Sequence, residues 1–192
     1  IGVRLVGSEM CIRDRPGPAG DPIAHWAEQL TKELRLGAQI LTDHNITPPA
    51  ANTVFFGGGT PSLLGRQLPK ILDVVRECFG IAPGAEITSE ANPESTSPEL
   101  FDCWRAGGVN RLSLGMQSSE PRVLALLDRQ HDPARAVAAI EEAQAAGFEH
   151  LNLDLIYGTP GETTDDVARS VDTVLATGVD HVSAYAPVSY TH

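Results

Sequence analysis

Five short apolar runs, NTVFF, AEITSE, NRLSLGM, HLNLDLIYG and HVSAYA, alternate with helical patterns along the chain, and this alternation constrains the fold more than any other feature. Each run has the length and composition of a short strand. The intervening segments carry helix punctuation: Ser97-Pro98 precedes ELFDCWRAGG, Asp132-Pro133 precedes ARAVAAIEEAQAAG, and Thr163 with Asp166 forms a capping box before VARSVDTVLATG. Gly107, Gly147 and Gly178 supply the stops. An earlier helix is predicted from Asp21 to Leu41, where Ile23, Trp26, Ala27, Leu30, Leu34 and Ile40 fall at helical spacing behind an Asp-Pro start. A strand, a crossover helix and a further strand, repeated about every 30 residues, imply parallel pairing with right-handed connections. The units share punctuation rather than a sequence pattern, so the repeat is architectural. The chain is therefore α/β, and either a (β/α) barrel or a doubly wound sheet satisfies the pattern.

Charge and composition remove several function classes. A net charge of -11, with 14 scattered basic residues, argues against a nucleic-acid backbone as partner, which requires clustered Lys and Arg. No apolar stretch approaches the roughly 20 residues that span a bilayer, and a cytoplasmic location is expected. Cys11, Cys78 and Cys103 are too few and too far apart for a disulfide framework or a metal site. No Ser-His-Asp spacing, Walker loop or dinucleotide fingerprint is present.

In parallel βα architecture ligands meet the carboxyl ends of strands, and those ends are polar here. The first strand runs into Gly57, Gly58, Gly59 and Thr60, the second into Glu90 and Asn92, the third into Gln117, and the fourth carries Asp154 before Tyr157 and Gly158. Strand ends reach water in any protein, so each residue alone says little; together they point to one shared face. Three successive glycines require either positive φ in a tight turn or close approach of a ligand to the backbone, and Thr60-Pro61 has the chemistry of a helix N-cap and first turn. Glu90 needs a cationic or hydrogen-bonding partner to offset desolvation. Asp154 lies between leucines, and it either serves a ligand or makes a structural bond to a neighbouring strand or to Arg129. His25, His44, His150 and His181 read as packing or surface residues, whereas His131 follows Arg129 near the expected site face.

Taken in order and at these spacings, VFFGGGTPSLL, EITSEANPES, GVNRLSLGMQS, LLDRQHDP and NLDLIYGTPGET resemble radical S-adenosylmethionine (SAM) proteins of the oxygen-independent coproporphyrinogen III oxidase family, over residues 21 to 186. The glycine turn and EANPE look more like the HemW-type haem chaperone branch than the oxidase proper. The resemblance implies a partial (β/α) TIM-like barrel of the radical SAM type. It implies that the Gly57–Gly58–Gly59–Thr60 turn cradles the methionine part of SAM and that Glu90 pairs with the cofactor's amino or ribose groups. Gln117, Arg129 and Asp154 match positions that contact a second SAM in the oxidase branch. Haem or porphyrin, a [4Fe-4S] cluster and haem-acceptor proteins are the further partners implied. An oxidatively decarboxylating enzyme is the alternative activity, and an inactive barrel fragment is the third reading.

The family begins with a CxxxCxxC motif that holds the cluster, and no such spacing occurs in this sequence. Residues 1 to 20 and 187 to 192 look non-native, because GSEMCIRDR and VSYTH resemble translated sequencing-adaptor read-through. The expectation is an incomplete core domain over 21 to 186, from a longer parent protein, that binds no cluster itself.

Overall fold

A computed structural model of the chain describes residues 22–127, 129 and 132–187. Its strands are β1 (Ala51–Phe56), β2 (Ile81–Ala91), β3 (Arg111–Gln117), β4 (His150–Ile156) and β5 (His181–Tyr185). They form one parallel sheet in the order β1-β2-β3-β4-β5, so every strand lies beside its neighbour in sequence. Such an order, with a helical crossover each time and the handedness of βα units, curls the sheet into part of a barrel with helices outside. The fold is an α/β half-barrel, the barrel alternative of the two that the pattern allowed.

The helices are α1 (Pro22–Asp43), α2 (Gln67–Phe79), α3 (Pro98–Gly107), α4 (Pro121–Leu126), α5 (Pro133–Ala145) and α6 (Thr164–Ala176). Their starts obey side-chain chemistry. Ser97 accepts from Leu100 N, Asp132 accepts from Ala134 N, and Thr163 with Asp166 forms a reciprocal capping box, each satisfying a donor the helix would leave unpaired. The hydrogen bonds from Thr163 hold the Asp166 carboxyl below the usual carboxylate range, and Arg122 and Arg169 lower it further. Asp166 is buried and joins α4 to α6 through its bond with Arg122.

Three local expectations are corrected. Pro61–Leu64 is a single 3-10 turn that Thr60 does not cap through its side chain, and the α-helix proper begins only at Gln67. Strand β2 starts at Ile81, earlier than AEITSE suggests, because Pro83 and Gly84 read as turn residues yet are absorbed by an irregularity where Ala51 pairs with Ile81 and Thr53 with Glu86. At the end of α3 it is Gly108, at φ 105°, that adopts the left-handed cap, one residue beyond the predicted stop.

One face of the sheet carries the core. Leu112, Leu114, Met116, Leu151, Leu153 and Leu155 are buried against Phe101, Trp104, Ala136, Ala139, Ile140 and Ala143 of α3 and α5. Trp104 also donates its indole N–H to the Gly65 carbonyl at 2.8 Å, tying α3 to the segment after β1. Asn110 extends the ladder before β3 by donating to Ala85 O and accepting from Ile87 N.

Two glycines test how tightly the outer layer is packed. A methyl at Gly37 in α1 would meet nothing within 4 Å, whereas one at Gly107 would sit 2.7 Å from Cβ of Pro69, a rigid ring on α2. Gly37→Ala should gain about 0.5–1 kcal/mol from helix propensity. Gly107→Ala should lose about 1–3 kcal/mol despite the same propensity gain, because neither helix can yield without moving backbone. Urea denaturation of both variants beside the parent measures the opposite signs.

Candidate functional site

The other face of the sheet is polar, and the register shows how it is assembled. Phe55 pairs with Thr88, Thr88 with Arg111, and Arg111 with His150; the next row holds Glu90, Ser113, Asn152 and His181; above it lie Gly115, Asp154 and Ser183. Residues paired in a parallel ladder and those two apart along a strand share a face. Strands covered on both sides by apolar layers would read as continuous hydrophobic runs. RLSLGMQ and HLNLDLI instead alternate, which marks a concave face built for polar contact.

The glycine turn meets Glu90 at the rim of this face. Gly58 donates its N–H to Oε2 of Glu90 at 2.9 Å. The positive-φ explanation for the triple glycine holds, since Gly58 and Gly59 have φ of 79° and 62°; at Gly57 a methyl would collide with the Phe55 ring and lie 3.2 Å from Cδ of Glu90, so the bare backbone there makes room for the protein's own side chains. Turn and strand end are then locked by a third element. Asn92 N donates to Oγ of the buried Ser62, which also meets Ser95 Oγ at 2.5 Å. Asn92 Oδ1 accepts from Glu94 N, so this strand-end residue is a cap rather than a ligand-facing group. Arg135 of α5 donates to Pro93 O and to Thr96, while Glu142 holds its guanidinium by two bonds of 2.8 and 2.7 Å.

Asp154 is the centre of a second cluster. Its Oδ1 accepts from Asn152 Nδ2 at 2.7 Å and from Ser113 Oγ at 3.2 Å. Asn152 Nδ2 also bonds Ser113 Oγ at 2.7 Å, and Asn152 Oδ1 accepts from Ser183 Oγ at 3.1 Å. Burial, and then the nearby carboxylates of Asp154 and Glu90, push the Tyr185 phenol well above the usual phenol range. Of the two structural partners foreseen for Asp154, the neighbouring strand supplies the bonds; Arg129 lies exposed after α4, donating its backbone N–H to Leu124 O. His131 falls outside the described residues.

Gln117 sits where β3 bulges, since Gly115 pairs with Asp154 but Gln117 with Leu155. Its φ is 68°, unusual for a residue with a side chain. The amide folds back over Gly115, where a methyl would lie 2.7 Å from Nε2, and Oε1 is buried with no hydrogen-bond partner among the described residues. A strained backbone and an unsatisfied acceptor at one residue are the marks of a functional position. The polar rim thus brings Gly57, Gly58, Gly59, Glu90, Gln117 and Asp154 to the carboxyl ends of adjacent strands. Sequence reading missed Ser62, Ser95, Ser113, Asn152, Ser183 and Tyr185; for the last four the period-two alternation was the available signal.

Residues 32–174 match the Radical SAM superfamily. The chain belongs to this superfamily. It is 58% identical over 164 residues to the haem chaperone HemW of Mycobacterium tuberculosis, covering 85% of this chain and 41% of that protein. HemW of Bacillus subtilis is 36% identical, with 86% of this chain and 43% of that protein covered. The oxygen-independent coproporphyrinogen III oxidase of Salmonella typhimurium is 31% identical, with coverages of 87% and 35%. Among solved structures, coproporphyrinogen III oxidase (HemN) from Escherichia coli, described as a radical SAM enzyme, superposes with a TM-score of 0.75 at 30% identity, covering 86% of this chain and 38% of that one. The chain thus spans less than half the length of these relatives.

The superfamily implies SAM and a [4Fe-4S] cluster. The rim suits the first: it offers a carboxylate at Glu90, a glycine turn whose backbone is open at Gly58, and an amide oxygen at Gln117 with no donor among the described residues. Among the described residues no group of three or more His, Cys, Asp or Glu could hold a metal, and Cys78 and Cys103 lie on different helices. No helix among them is long and apolar enough to cross a membrane.

If Gln117 is held for function rather than folding, Gln117→Gly should raise stability by about 1–4 kcal/mol. It relieves about 1–2 kcal/mol of left-handed strain and an orphaned acceptor worth about 1–3 kcal/mol, against a glycine entropy cost of about 0.5–1 kcal/mol. A fall in the urea midpoint would instead make the Gln117 side chain structural.

Proposed function

We propose that the protein of which this sequence is a part is a HemW-type haem chaperone that binds SAM on the polar rim. The observation that carries the SAM site is the Gly58 N–H to Glu90 bond, which holds a glycine-lined backbone edge and a carboxylate side by side. Backbone carbonyls of Gly57 to Thr60 and the Glu90 carboxylate together suit an ammonium group, for which both are acceptors. Gln117 and Asp154, and Arg129 from the segment after α4, complete the cofactor-binding set. Reductive cleavage of SAM is the chemistry that the cofactor and an iron–sulfur cluster supply when both are bound. The cluster ligands lie outside this stretch, so this stretch binds no cluster by itself. Haem is the cargo, passed to acceptor proteins in the cytoplasm.

The chaperone reading is favoured by the 58% identity to the mycobacterial HemW over most of the chain. The oxidase reading rests on 31% identity to the Salmonella enzyme and on the HemN superposition. The two differ in chemistry. A chaperone must hold haem and release it, whereas an oxidase must take a hydrogen atom from a porphyrinogen propionate and lose carbon dioxide.

The whole protein with its natural flanks, reconstituted anaerobically with iron and sulfide, separates them. Haem should bind with a shifted Soret band and pass to an apo-acceptor, while coproporphyrinogen III should yield no decarboxylated product in the presence of SAM and a reductant. Glu90→Ala should weaken SAM binding by about 10- to 100-fold, the loss expected for a charge-assisted contact. Multiple turnovers to decarboxylated product, abolished by Glu90→Ala, would establish the oxidase instead.

A further inference from the structure

Where β3 ends, the strained turn at Gln117 is gripped from the helix layer, by a residue to which the SAM-site reading gives no role. Ser118 N–H reaches back to Met116 O at 2.9 Å, closing a three-residue turn around Gln117 at its φ of 68°. Of the two hands of such a turn, the one with positive φ is rare and strained. A backbone of this kind persists only where its surroundings over-determine it. The Gln117 Oε1 supplies no such restraint, since it has no partner among the described residues.

The restraint comes from α6. Ser170 is buried there, and its Oγ accepts the Ser119 N–H at 2.9 Å while lying 3.3 and 3.2 Å from the hydroxyl oxygens of Ser118 and Ser119. A hydroxyl has one donor and two acceptor sites, so these three contacts use all that Ser170 can offer. Ser118 is also buried, and its Oγ accepts from Glu120 N at 3.1 Å. Asp166, Arg169 and Ser170 share one face of α6 by their spacing, and the first two reach Arg122 and Glu120 at the start of α4. Those ion pairs are half-open to water through their arginines and hold α4 as a body, whereas Ser170 grips the two residues that directly follow Gln117.

We propose that Ser170 is a positioning residue for SAM binding: through the Ser119 N–H and the two serine hydroxyls it fixes the turn that keeps Gln117 left-handed, with its amide over Gly115 and its Oε1 reserved for a donor of the cofactor. This rests on the reading of the rim as a SAM site that includes Gln117. Ser170→Ala removes all three contacts and leaves both ion pairs, so α4 stays docked while the turn is freed to relax toward negative φ.

A double-mutant cycle in the full-length, cluster-reconstituted protein tests this, with SAM affinity measured by equilibrium dialysis and the thermal midpoint measured without ligand. Ser170→Ala should raise the Kd for SAM about three- to tenfold, the scale of one hydrogen bond. In a Gln117→Gly background the same change should cost less than twofold, because the group it positions is gone. Ser170→Thr keeps the hydroxyl but adds a methyl at a buried site, so it should lower the thermal midpoint while the Kd stays within twofold of the parent. A merely structural role would make affinity follow stability through both Ser170 variants and would add the losses in the cycle. Either result, or a Ser170→Ala protein that does not fold, overturns the proposal. So does an unchanged Kd in Ser170→Ala beside a raised one in Gln117→Gly, which would leave the SAM site standing. An unchanged Kd in Gln117→Gly would remove Gln117 from the site and this inference with it, while absence of SAM binding by the unmodified protein would overturn the site itself.

Discussion

A parallel sheet with one polar face depends on that face finding enough hydrogen-bond partners, and this constraint shapes the rest of the structure. The outer face presents no difficulty, since leucines of β3 and β4 disappear under α3 and α5. On the inner face every buried side chain brings a desolvation cost that only a well-placed neighbour offsets. Asn152 meets the requirement by directing its amide to Ser113 and Asp154 and its oxygen to Ser183. Three strands are thereby joined through side chains in addition to the backbone ladder. Satisfied networks of this kind rigidify, so the sheet presents its polar groups in fixed positions rather than as a soft lining.

At the rim the same requirement is met differently. The Glu90 carboxylate takes a backbone donor from the glycine turn, and the turn reaches it because Gly57 has no side chain to hold it away. Ser62 then ties the beginning of the 3-10 segment to Asn92 and Ser95 beyond β2, and Arg135 reaches from α5 to brace that second loop. Two loops that would otherwise move independently are held as one unit by bonds to buried or half-buried side chains. Rigid support of this sort is what a binding rim requires, since misplacement of a contact by an ångström forfeits much of its worth.

Much of this was legible in the sequence, for identifiable reasons. Helix starts at Ser97, Asp132 and Thr163 are local events, decided within four residues, and each cap forms as its spelling predicts. The glycine turn was legible as a demand for special backbone, although which glycine needed positive φ and which needed an empty Cβ depended on Phe55 and Glu90, the latter 33 residues along the chain. Other features are long-range and left no local trace. Nothing in PSLL announces that Ser62 will bond the backbone after β2, and nothing in PGAE announces that Pro83 and Gly84 will be carried within a strand. Thr60-Pro61 misled because a Pro start suits a 3-10 turn as well as an α-helix, and the choice between them was made further along the chain, at Gly65. The alternation in RLSLGMQ and HLNLDLI was in plain view; read for face as well as for strand content, it identifies Ser113, Asn152 and Asp154 as neighbours.

Gln117 shows why the least legible residue is the most informative. Its left-handed backbone comes from a bulge that a seven-residue strand of ordinary composition does not forecast, and its buried oxygen finds no donor in the described residues. Folding alone selects against both features, because each raises the free energy of the native state without stabilising a neighbour. In the SAM site proposed for this rim, a ligand donor takes up the vacant acceptor and offsets both costs. Beside it, Glu90 is presented by the glycine turn, and Asp154 is held by Ser113 and Asn152. The strand ends that satisfy one another and Gln117, which does not, are therefore two halves of the arrangement proposed for SAM, in which the satisfied groups supply rigidity and Gln117 keeps an acceptor for the ligand.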